Sequence, residues 1–138
     1  MISTIAVGTD GSETASRAVA VAAEMARRFD AKLVLASAFG EGPATTGAVD
    51  EAAFAWNPTA QLQEILARTE RELQSQGLNC VTRTGRGNPA KALVEIAEQC
   101  KADVLVIGNK GMHRRVLGSV PNSVAHTAPC SVLVVKTT

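Results

Sequence analysis

The residues with the most chemical promise are glycines, an aspartate and a serine grouped at the ends of apolar runs. Val104-Leu105-Val106-Ile107 leads into Gly108-Asn109-Lys110-Gly111, and after a short basic stretch the chain reaches Gly118-Ser119-Val120. That order predicts a buried strand delivering a glycine-rich turn to the start of a helix. Without β-carbons, backbone N–H groups in such a turn can approach an anion closely, and the positive end of the helix dipole favours negative charge at the same place. The pattern predicts a phosphate pocket. A second turn of this kind, Gly8-Thr9-Asp10-Gly11, closes the first apolar run, Ile2 to Val7. If the two runs are neighbouring strands, both turns face one crevice, where open α/β sheets bind ligands.

The remaining polar residues are weaker candidates. Asp10 can contact a ligand, or can form a local turn by accepting from the N–H of Ser12 or Glu13. Lys110, Arg114 and Arg115 can neutralise phosphate, although successive side chains of a turn do not all enter one pocket. His113 and His126 have no readable nucleophile or carboxylate partner, and Trp56 reads first as packing and second as a stacking platform. Cys80, Cys100 and Cys130 lie far apart without a C-x-x-C pair, so they are expected to be reduced and mostly buried. No His, Cys, Asp or Glu cluster has metal-ligand spacing, and no residue stands out as a catalytic base or nucleophile. The sequence therefore predicts neither a metal site nor a catalytic one.

The elements that must position these turns alternate along the chain. Strands are expected at Ile2–Val7, Lys32–Ala38, Leu78–Thr84, Ala102–Ile107 and Ser131–Lys136. The third is polar enough for an edge. Helices are expected from Ser12 to about Phe29, from Thr59 to about Gln76, after Asn88-Pro89, and over Ser119–Ala128. Between Phe39 and Pro58 the small-residue stretch reads either as a mobile flap or as a short irregular helix. This order predicts an α/β domain over residues 1–138, a single open parallel five-stranded sheet with helices on both faces. The 138 residues are 46% hydrophobic and 20% charged, enough for one proper core. A formal net charge of +1 gives no global basic field for nucleic acid. No run has the length of a membrane span or the pattern of a signal peptide, which predicts a cytoplasmic protein without membrane or nucleic-acid partners.

Three stretches together resemble the universal stress protein family: Val7-Gly8-Thr9-Asp10-Gly11-Ser12, the G-x-x-G and G-S pair, and the closing Ala128-Pro129-Cys130-Ser131-Val132-Leu133-Val134-Val135. The resemblance covers essentially the whole chain. It implies a Rossmann-like fold, similar to adenine nucleotide alpha hydrolases, that binds an adenine nucleotide (ATP, AMP or cyclic AMP) as a sensor or regulatory module in stress response. Carried over by position, Gly8, Thr9 and Asp10 lie beside adenine and ribose, and Ala38 and Ile107 form part of the base pocket. Gly108, Asn109, Lys110 and Gly111 wrap the sugar and phosphates, and Gly118, Ser119 and Val120 offer amides and a hydroxyl to phosphate oxygens. Magnesium is implied only with ATP. Six residues, Met112 to Leu117, separate Gly111 from Gly118, where the nucleotide-binding branch has nine; the shorter loop implies a cradle small enough for AMP or cyclic AMP. The resemblance also implies a homodimer joined through Ser131 to Lys136. The alternatives are a weak ATP-hydrolysing enzyme of the same architecture and a ligand-free interaction module.

Overall fold

The computed structural model describes residues 1–39, 58–109 and 118–136. Nine elements alternate: β1 (Thr4–Gly8), α1 (Glu13–Phe29), β2 (Lys32–Phe39), α2 (Pro58–Ser75), β3 (Cys80–Arg86), α3 (Pro89–Gln99), β4 (Val104–Asn109), α4 (Ser119–Thr127) and β5 (Ser131–Lys136). The five strands form one sheet in the order β3-β2-β1-β4-β5, and every pairing is parallel. This is the Rossmann-like α/β architecture expected. Because β1 pairs with β2 on one side and with β4 on the other, the connections leave it in opposite directions and the sheet switches at β1/β4.

Strand alternation divides the core in two. Ile5 and Val7, Leu33 and Leu35, and Val104 and Val106 turn to one face, where α1 brings Ala18, Val19 and Ala22 and α2 brings Leu73. Ala6, Val34, Ala36, Leu105 and Ile107 turn to the other, against Leu93, Ile96 and Ala97 of α3 and Val124 of α4. Both faces of the central strands are thus dry, and β1 and β4 read as unbroken apolar runs for that reason. At the opposite end of the sheet, the Ser3 and Thr4 N–H groups donate to Asp103 Oδ2 at 2.8 and 3.0 Å. These bonds hold the Asp103 carboxyl below its usual range. They tie the start of β1 to the start of β4, so the two strands reach the switch point in fixed register.

Several boundaries differ from the sequence reading. Gly108 and Asn109 belong to β4, paired with Val135 and Lys136, and do not begin a turn; ladder pairing with β5 carries the strand two residues beyond the apolar run. β3 is the polar edge expected but runs to Arg86, with Gly85 inside it. A Cβ on Gly85 would stand 3.1 Å from Ala92 Cβ, so this glycine lets α3 lie close to the strand. Gly87, at φ 96°, makes the turn. The last helix stops at Thr127 because Ala128, before Pro129, is extended (φ −66°, ψ 144°). The segment from Gly40 to Asn57, with Trp56, and the loop from Lys110 to Leu117, with Gly111, His113, Arg114 and Arg115, lie outside the described residues.

Candidate functional site

Where β1 and β4 part, a cavity of about 330 Å³ opens at the carboxyl end of the sheet. Three helix starts border it: Ser12, Thr14 and Ala15 of α1, Pro89 of α3, and Ser119, Val120 and Pro121 of α4. The positive dipole ends of three helices therefore converge on one space. Leu93, Ile107, Ala38 and Val120 add apolar wall. Among the described residues Asp10 is the only charged group lining it.

The β1–α1 turn is held by β2 and by its own side chains. Thr9 N–H donates to Ala36 O at 2.9 Å, and Thr9 O accepts from the hydroxyl of buried Ser37 at 2.7 Å. Gly11 N–H donates to Thr9 Oγ1 at 3.1 Å, and Ser12 N–H to Asp10 Oδ1 at 2.9 Å. The turn-forming role of Asp10 is thus realised, with the residue still at the cavity. Ser12 then caps α1, its Oγ accepting from Ala15 N–H at 3.1 Å. Gly11 takes φ 82°, a conformation that glycine enters without strain.

Of the residues singled out from sequence, Gly8, Thr9, Asp10, Ala38, Ile107, Gly108, Gly118, Ser119 and Val120 come together around this cavity. Lys110 and Gly111 lie outside the described residues. Asn109 is fully buried and is not among the residues lining the cavity. Its Oδ1 accepts from Gly118 N–H at 3.1 Å, while its buried Nδ2 has no partner among the described residues. Gly118 lines the cavity, with its amide turned to Asn109. Sequence reasoning missed Ser12, Thr14, Ala15, Pro89, Leu93 and Pro121. The caps Ser12 and Asn88-Pro89 were legible as helix starts, and strand-to-helix order alone could have placed them at the same sheet end.

Chemically, the cavity suits a ligand with an apolar body and an anionic end. Its lining holds no thiol: burial pushes Cys80 up to about 11 and raises Cys100 and Cys130 as well, so these thiols stay protonated at neutral pH. His126 is exposed in the last turn of α4. Among the described residues no group of three or more His, Cys, Asp or Glu is placed to hold a metal, and no helix is long and apolar enough to cross a membrane.

Comparison with known proteins accords with this geometry. The family model described as the universal stress protein family matches residues 1–136. Universal stress protein Rv1636 of Mycobacterium tuberculosis is 39% identical over 142 residues, covering 98% of this chain and 97% of its own length. The crystal structure of a universal stress protein in complex with cAMP is 35% identical with a TM-score of 0.78, covering 99% of each chain. The universal stress protein from Archaeoglobus fulgidus in complex with dAMP has the same fold, with a TM-score of 0.72 at 22% identity over 97% of this chain and 98% of its own. With a family model matching residues 1–136 and a relative 39% identical over nearly its whole length, the chain belongs to the universal stress protein family.

Proposed function

We propose that this protein binds an adenine nucleotide carrying a single phosphate group, AMP or cyclic AMP, and acts as a cytoplasmic sensor or regulatory module in stress response. The observation that carries the reading is the cavity at the β1/β4 switch, walled by Gly8–Asp10 at one side and by the Gly118–Val120 helix start at another. Apolar Ala38, Ile107 and Leu93 suit the base, Asp10 suits a ribose hydroxyl, and the amides of α4 suit the phosphate. The 35% identical relative in complex with cAMP supports the choice of ligand. With Asp10 the only titratable side chain among the described lining residues, the site reads as a binding module; turnover of ATP asks for a base or metal-holding pair in addition. Magnesium enters this reading only with ATP, and the three unpaired cysteines suit a reducing compartment.

Titration of nucleotide-stripped protein with AMP, cyclic AMP and ATP, each with and without magnesium, tests the proposal. AMP or cyclic AMP is expected to bind at least as tightly as magnesium-ATP. An ATP affinity more than tenfold tighter, about 1.4 kcal/mol, would reassign the ligand to a triphosphate, and no binding of any of the three would leave an interaction module.

The same reading includes a homodimer through β5. This edge strand carries Val132 to Val135, and Leu133 is 38% exposed; a bare apolar edge invites pairing, and a two-fold mate satisfies it. Val132 and Val134 pack inward, so Leu133→Lys is the substitution that spares the core. Light scattering should show a dimer for the parent and a monomer for L133K. An unchanged dimer would place the interface elsewhere.

A further inference from the structure

The start of α4 is built to leave a particular set of donors open. Gly118, the N-cap, has no side chain to accept from the following amides, and it makes no side-chain cap bond. A Ser, Asp or Asn there would occupy the N–H of Val120 or of the next residue. That next residue is Pro121, which has no N–H. The first helical bond runs from Asn122 N–H to Gly118 O at 3.0 Å. Among the described residues nothing accepts from the Ser119 or Val120 amide.

The remaining amide of this start, that of Gly118, is taken from behind. Asn109, the last residue of β4, is 0% exposed, and its Oδ1 receives the Gly118 N–H. Because an N–H can only donate, this contact fixes which end of the carboxamide faces Gly118. Among the described residues its buried Nδ2 has no partner, so the bond that Oδ1 accepts is the side chain's one polar anchor there. Asn109 is joined to the sheet through its pairing with Lys136, so its bond to Gly118 references the helix start to the sheet.

Resting on the nucleotide reading above, we infer that Asn109 is the positioning residue of the anion end. By drawing the Gly118 amide inward, it aims the Ser119 and Val120 amides at the cavity and, with the Ser119 hydroxyl, limits the cradle to donors for one phosphate group. Asn109 touches no ligand. Its effect runs through Gly118, and a phosphate-free ligand should not feel it.

Two measurements test this. In calorimetry with AMP and adenosine as probes, Asn109→Ala should weaken AMP at least tenfold while adenosine stays within twofold. Equal losses for both ligands, or an unchanged AMP affinity, would overturn the inference. The second measurement needs no variant: amide hydrogen exchange by NMR on the parent should find Gly118 protected and Ser119 and Val120 fast, with AMP slowing only the latter two. A Gly118 amide as fast as its neighbours, or one that gains protection only with AMP, would overturn it. If the parent binds neither AMP nor adenosine, the nucleotide reading falls, and the exchange rate of Gly118 in the free protein still decides whether Asn109 positions the helix start.

Discussion

Gly118→Val should bind AMP roughly 10- to 150-fold more weakly than the parent, corresponding to the loss of one charge-assisted hydrogen bond of about 1.5–3 kcal/mol. The substitution is informative because the backbone tolerates it: Gly118 sits at φ −63°, ψ 169°, extended geometry open to any residue. What valine adds is bulk at a position lining the cavity, beside the two amides that the site would turn toward phosphate. The poorer N-cap costs about 1 kcal/mol, a shift of only a few degrees in melting temperature for a chain of this length. Calorimetry on folded protein gives the answer. If G118V matches the parent for AMP, cyclic AMP and ATP, the anion is bound elsewhere.

Gly11→Ala should lower stability by about 2–3 kcal/mol, combining left-handed backbone strain with a forced contact, and melting temperature by roughly 10 °C. Gly11 holds φ 82°, and a Cβ there would come within 3.0 Å of Leu62 Cδ1 and 3.5 Å of Ile65 Cδ1 in α2. The turn carrying Thr9 and Asp10 is thus seated directly beneath α2, and strain at Gly11 should reach the cavity as weaker nucleotide binding. Gly11→Asn separates the two causes. Asparagine enters the left-handed region far more readily than alanine but is the larger side chain, so G11N should melt above G11A if backbone strain dominates. The reverse order would show that the Leu62 contact decides, and a G11A protein as stable as the parent would refute both.

How much of this was readable in advance depends on the distance over which each feature is determined. Element order was legible because burial on both faces makes β1, β2 and β4 near-continuous apolar runs, and because Ser12 and Asn88-Pro89 cap helices through bonds spanning three residues. The turn at Asp10 was legible for the same reason, its bond reaching only to Ser12. From that order the ends of β1 and β4 could be assigned to one sheet end. Asn109 could not be understood this way. Sequence placed it in a loop around a ligand, whereas it ends β4, paired with Lys136, and its partner, Gly118, is nine residues away. Nor could sequence show that Gly85 is a packing glycine, since that follows from the approach of Ala92 on a different element. Local hydrogen bonding and apolar periodicity therefore determined the strands and the caps. Which amides the start of α4 leaves open, and which is drawn inward, was decided only when β1 and β4 met in the sheet and that start docked on Asn109, because a hydrogen bond between distant segments exists only once packing has brought its two ends together.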